Sequence, residues 1–269
     1  AVLSATGEDA EPMLLKLLQP RDNQVARQSG RDFIRGLAHL VGARHKNSEI
    51  ERVLDAVLKS SSLPQLSARQ LIVLKNLGRG MAWRSRSFAA LIAALIDNAG
   101  STGRRLAELL EQIAFLARDS HTAMPLRRHC IEVLRYAGFS RAGETLLEIV
   151  QSTVSQELRL LAMDVASSYD DPRISRVLLA DFASQTPVVR RAVVDAMLSN
   201  RGRVRILLGE LEAKNIAITE LSPAAVQQLV RDPDPDVSDL AKRVLGDMVP
   251  ANRQKILAEY QGALTTRGD

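Results

Sequence analysis

One cysteine, Cys130, stands in the whole chain. That rules out an internal disulfide and a multi-cysteine metal site, and a covalently held c-type haem, which needs C-x-x-C-H, has no place here. Aromatic residues are scarce at 3%, with Trp83 the only tryptophan. Apolar volume therefore comes from Leu, Ala, Val and Ile, which suits thin layers of helix on helix. Nowhere do roughly 18–20 uncharged residues run together, as a membrane-spanning helix requires. Period-2 runs rich in Val, Thr and aromatics are missing too, so no sheet is expected. The first residues, Ala1-Val2-Leu3-Ser4-Ala5-Thr6, have neither the basic nor the apolar region of a signal peptide. No G-x-S-x-G elbow, phosphate-cradling glycine loop or dinucleotide fingerprint occurs.

What is present is repetition. An apolar residue, often with an arginine beside it, is followed by a small residue four positions on. The pattern reads Val25-Ala26-Arg27-Gln28-Ser29, Leu126-Arg127-Arg128-His129-Cys130, Leu158-Arg159-Leu160-Leu161-Ala162 and Val188-Val189-Arg190-Arg191-Ala192, with a weaker copy at Val237-Ser238-Asp239-Leu240-Ala241. The central copies start at 126, 158 and 188, intervals of 32 and 30 residues, about one helical hairpin each. A small residue at a fixed place lets neighbouring helices approach. Repetition at this period is the mark of a helical solenoid. Cys130, Ala162 and Ala192 are thus expected to be buried at equivalent places, Cys130 as packing rather than as a reactive thiol.

Helical stripes are nearly continuous: Ile50, Val53, Leu54, Val57 and Leu58; Leu106, Leu109, Leu110 and Ile113; Val204, Leu207, Leu208 and Leu211; Val237, Leu240, Ala241, Val244 and Leu245. Asp171-Pro172, Thr186-Pro187, Ser222-Pro223 and Asp234-Pro235 each set a capping oxygen before a proline, which costs nothing at the first helical position. These signals predict helices at 11–19, 23–42, 48–60, 66–79, 85–98, 103–118, 124–137, 141–151, 154–168, 172–183, 187–199, 203–213, 223–231, 235–247 and 250–264. Two places break the rhythm. The interval from 188 to 237 is longer, and its extra stretch, 207–216, reads as a helix ending near Asn215. The other break, 78–86, carries two glycines, the lone Trp and three arginines, and reads as a loop.

Basic residues exceed acidic ones by 36 to 31, for a net charge of +5. This permits polyanion binding, but arginines that cap helix ends and pair with Asp or Glu across repeats explain it better. The 78–86 stretch is the best candidate for binding anything: Arg79, Arg84 and Arg86 beside Trp83 could hold an anion or stack on a base, or Trp83 could simply seal a hairpin end. His39, His45, His121 and His129 show no metal-ligand spacing. The run Asp232-Pro233-Asp234-Pro235-Asp236 fits a turn and helix cap better than a calcium site. No catalytic, cofactor-binding or metal-binding residue is expected.

Several stretches together resemble one family: Phe33-Ile34-Arg35-Gly36-Leu37-Ala38, residues 71–80, 126–134, 207–216 and 237–245, and the tail Asn252-Arg253-Gln254-Lys255-Ile256-Leu257-Ala258-Glu259-Tyr260 with its closing Gly268-Asp269. They are similar to the HEAT-like region of planctomycete-type membrane-bound dehydrogenase proteins. The resemblance implies a segment of a longer exported, periplasmic redox protein, lying between a sugar-dehydrogenase-like β-propeller and a c-type cytochrome. The absence of C-x-x-C-H means that haem ligation carries over to no residue here.

The expectation is thus an all-α chain, a HEAT/armadillo-like α-α superhelix forming a right-handed solenoid over residues 1–269 as one domain. It would act as a non-catalytic scaffold or spacer that contacts other domains of its polypeptide or protein partners, with no cofactor and no membrane span. Two alternatives stand beside it. One is a nucleic-acid-binding HEAT-like protein or alkylpurine DNA glycosylase, which the basic charge favours and the scarcity of aromatics opposes. The other is a generic protein–protein adaptor using a concave face.

Overall fold

The computed structural model describes residues 8–19, 28–59, 66–82, 87–98, 100–152 and 155–246. Among them 80% are helical, in 14 α-helices, and no strand occurs. No helix among the described residues is long and apolar enough to cross a membrane. The fold is all-α, as the periodicity requires.

The chain forms two compact units, residues 1–177 and 178–269. The first contains α1 (Ala10–Leu17), α2 (Gln28–Arg44), α3 (Asn47–Lys59), α4 (Ala68–Ala82), α5 (Phe88–Asp97), α6 (Ser101–Arg118), α7 (Met124–Leu134), α8 (Phe139–Gln151) and α9 (Gln156–Ser167). The division falls inside α10 (Pro172–Leu179). The second unit contains α11 (Pro187–Leu198), α12 (Arg201–Glu212), α13 (Pro223–Val230) and α14 (Pro235–Leu245), with 3-10 turns at Phe182–Ser184 and Ile218–Glu220. The helix expected at 250–264 lies outside the described residues.

The stripes form the cores. Every named member on α3, α6 and α12 is buried, and on α14 Val237, Ala241 and Leu245 are buried while Leu240 and Val244 are half-buried. The proline-marked starts are capped as their chemistry demands. Thr186 accepts from the Val189 amide at 3.4 Å and Ser222 from that of Ala225 at 3.2 Å. Asp171 accepts from Arg173 N at 2.9 Å. In the run 232–236, Asp232 accepts from Asp234 N at 2.9 Å and Asp234 from Asp236 N at 3.0 Å, which makes the acidic run a turn and a cap. Two helices end well short of expectation: α7 stops at Leu134 instead of 137, and α10 is cut shorter still. Asp181 adopts a left-handed φ of 54°, so α10 stops at Leu179 instead of reaching 183, and a 3-10 turn follows.

Arginine does two jobs in both units. Near helix starts it donates to carbonyls at the end of a preceding element, where the last C=O groups lack helical partners and a cation is favoured. Arg127 Nε reaches Ala117 O at 3.2 Å, Arg159 Nε reaches Val150 O at 3.0 Å, Arg190 Nη1 reaches Gln185 O at 2.9 Å and Arg203 Nε reaches Ala196 O at 3.1 Å. Other guanidinium contacts cross to a carboxylate 29 or 30 residues on: Arg118 to Glu148, Arg128 to Glu157 and Arg135 to Asp164 in the first unit, Arg190 to Glu220 and Arg205 to Asp234 in the second. Arginines therefore cap helix ends and form rungs at the interval the sequence shows.

The same geometry corrects the register of one copy. Cys130 and Ala162, each the seventh residue of its helix, are fully buried, but Ala192 is only half-buried. On α11, which begins at Pro187, the seventh residue is Val193, and it is 1% exposed. Arg190 stands where Arg127 and Arg159 stand, fourth in the helix. The twin valines Val188-Val189 misled the alignment by one place: Val189 is buried and Val188 faces water.

Candidate interaction groove

Residues 78–86 do not form a loop throughout. α4 runs on through Gly78, Arg79, Gly80 and Met81 to Ala82, whereas Trp83, Arg84 and Arg86 lie outside the described residues. The two glycines do not turn the chain; they let neighbours close in. A Cβ on Gly80 would sit 2.1 Å from the His39 carbonyl oxygen of α2, and one on Gly42 of α2 would sit 2.2 Å from the Leu77 carbonyl oxygen of α4. The two helices thus meet backbone to backbone. Gly78 makes a different space. A Cβ there would strike the ring of Tyr136, 2.3 Å from its Cζ, so Tyr136, just past the end of α7, lies flat against α4.

These approaches open a groove of about 770 Å³, lined by Asp32, Arg35, Gly36 and His39 from α2, Asn76, Arg79 and Ala82 from α4, and Arg135 and Tyr136 after α7. On α2 the four fall at i, i+3, i+4 and i+7, one face of the helix. Asn76 is buried and donates to Ile72 O at 2.7 Å, which fixes the floor. Tyr136 is fixed from two sides: its ring meets Phe88 edge-on with centroids 5.2 Å apart, and its hydroxyl donates to Lys75 O at 3.5 Å. Burial raises its pKa above the usual phenol value; Arg135 and Arg79 pull it down, less strongly, and Glu132 adds to the rise.

The groove's charge is mostly positive. Arg35 is held 3.0 Å from Asp32, both about half exposed. Arg135 reaches out to Asp164 on α9. Arg79 is exposed and makes no ion pair among the described residues.

Beside the groove lies a half-buried polar cluster. Glu132 on α7 meets Lys75 on α4, and its other oxygen lies 3.1 Å from His129 Nδ1. Burial alone pushes the Glu132 carboxyl up, but the hydrogen bonds to His129 and Lys75 and their charges outweigh it and hold the group at about 2. Glu132 is therefore a structural anion, not a proton donor near neutrality. The neighbouring thiol of Cys130 is pushed up to about 12 by burial, which keeps it an uncharged packing group.

Of the candidates in the 78–86 stretch, Arg79 is the one among the described residues, and it lines this groove. His39 lines it as well, whereas His45 ends α2, His121 stands exposed beside Asp119 and His129 belongs to the cluster. No group of three His, Cys, Asp or Glu among the described residues is placed to hold a metal ion. Asp32, Arg35, Asn76, Arg135 and Tyr136 escaped sequence reasoning because they are spread over a hundred residues without a shared motif. The glycines were the usable signal, since small residues where helices approach were already the theme of the repeat. Compared with protein-family models the chain matches none, and no curated protein matches it.

Proposed function

We propose that this chain is a non-catalytic helical-repeat scaffold of the HEAT/armadillo-like kind, a spacer that holds other domains of its polypeptide, or protein partners, at a set separation. The observation that carries this reading is the use made of arginine. Strong charges are spent on tying α7, α9, α11 and α12 each to the element before it, and α7, α11 and α12 to carboxylates 29 or 30 residues on. Such a plan stiffens a stack. The same spending weakens the nucleic-acid alternative, because a guanidinium committed to a carboxylate is less free to meet a phosphate. In the setting that the family resemblance implies, the held domains are a sugar-dehydrogenase-like propeller and a c-type cytochrome in an exported protein. This chain then contributes geometry and neither haem nor a sugar site.

The test is a distance measurement. Lys59→Cys and Ala123→Cys, both at exposed positions of the first unit, accept spin labels, while the buried Cys130 does not react. A single narrow distance distribution by pulsed electron paramagnetic resonance is expected. A broad distribution overturns the spacer. A stoichiometric Soret band on adding haem, lost when His121 or His129 is replaced, would overturn the non-catalytic assignment.

A further inference from the structure

The groove is one carboxylate short. On α4, Lys75 meets Glu132 of α7. One turn further along both segments the pair is Arg79 and Tyr136, and among the described residues no acid pairs with Arg79. Tyr136 cannot serve as one: burial keeps its phenol neutral and its hydroxyl is given to Lys75 O. Elsewhere in the chain, Arg118, Arg128, Arg190 and Arg205 each find a carboxylate. Arg79 keeps its charge in water at the edge of a cavity whose other arginines, Arg35 and Arg135, hold their acids in exposed pairs. Exposed pairs are weak and exchangeable. Between these charges the lining is small or flat: Gly36, Ala82 and the Tyr136 ring.

We propose that this groove docks an acidic segment of a protein partner. One carboxylate of the segment takes the missing place opposite Arg79. Others compete with Asp32 and Asp164 for Arg35 and Arg135, and an apolar side chain between them covers Ala82 and the Tyr136 ring. Planar guanidinium groups that already donate to carboxylates suit this ligand. A nucleic-acid backbone is disfavoured because its affinity comes from many phosphate contacts at once, and of the described arginines lining the groove only Arg79 makes no ion pair. The proposal rests on the scaffold reading, of which it names one docking site and its ligand.

The experiment is fluorescence polarisation at low salt with a labelled peptide alternating Glu and Leu, its Gln-for-Glu counterpart, and an oligothymidylate of matching charge. The acidic peptide is expected to bind. Arg79→Glu should weaken it about tenfold or more, Arg79→Gln less, and Ala82→Glu should weaken it by filling the groove with a competing acid. Arg205→Gln, in the other unit, should leave it unchanged. All three positions are exposed, and circular dichroism melts confirm that the variants fold. No binding, binding indifferent to Arg79→Glu, or tighter binding of the Gln peptide or the oligothymidylate overturns the proposal. A narrow spin-label distance without peptide binding sinks this site alone; peptide binding with a broad distance sinks the spacer alone.

Discussion

Two helix contacts inside the first unit are made in opposite ways. Between α2 and α4 the chain removes side chains: Gly42 and Gly80 bring backbone against backbone, with no room for a single carbon. Between α6 and α7 it adds one of its largest. Arg127, 7% exposed, folds over the end of α6 and donates to Ala117 O and Arg118 O. The glycine contact sets a distance and tolerates nothing. The arginine contact spans a gap with a flexible arm and a fork of donors, so it adjusts. The groove lies where the rigid contact is, which keeps its walls in place.

Gly80→Ala should break the rigid contact and have the largest effect. Alanine raises intrinsic helix preference by up to about 1 kcal/mol, but its Cβ would meet the His39 carbonyl at 2.1 Å and the Ala43 nitrogen at 2.7 Å. A net loss of about 3 kcal/mol is expected in denaturant unfolding. Gly209→Ala on α12 sharpens the contrast. A Cβ there meets nothing within 4 Å, so the same substitution should stabilise by up to about 1 kcal/mol.

Next in size is Ala162→Leu, which overpacks a fully buried place on α9 and should cost about 1–3 kcal/mol. Ala192→Leu, half-buried on α11, should cost less than about 1 kcal/mol. Equal melting shifts for the two would undo the one-residue register correction.

Acid should reach the first unit through Glu132. Its folded pKa, about 2, lies below the ordinary carboxyl value of 4.5. The unfolded chain therefore binds the proton first, and the stabilisation is complete above about 4.5 and lost as pH falls through 2. The contribution is of the order of 2 kcal/mol after allowing for solvent screening. Glu132→Gln should flatten the pH dependence of unfolding in that window; an unchanged slope would remove the cluster from the list of supports.

The smallest effect belongs to the exposed rungs. Arg205→Gln removes the 2.8 Å contact to Asp234 and should cost at most about 1 kcal/mol. The difference should fade at high salt.

Local features were legible wherever one segment carried the whole signal. The stripe from Ile50 to Leu58 and the Thr186-Pro187 and Ser222-Pro223 starts involve a few neighbouring residues, and each appears as its chemistry requires. Glycine was read wrongly at Gly78 and Gly80 because the residue has two uses, turning a chain and admitting a neighbour. Only the neighbour, α2 or Tyr136, decides between them. Of the groove, only Arg79 was foreseen. Its essential property is the lack of an opposing acid, and that becomes visible only once Lys75 is seen beside Glu132 and Tyr136 beside Gly78.

The rungs also govern how such a chain can change its length. Arg128 and Glu157, like Arg205 and Asp234, are 29 residues apart. Removing one interval whole would keep the helix faces in step, but the place 29 residues beyond Glu157 is Thr186 and the one beyond Asp164 is Val193, so those rungs would be lost. Removing a few residues would leave every rung that spans the cut facing the wrong side of its helix. Length variants that keep these helix faces in step should therefore differ by whole hairpins.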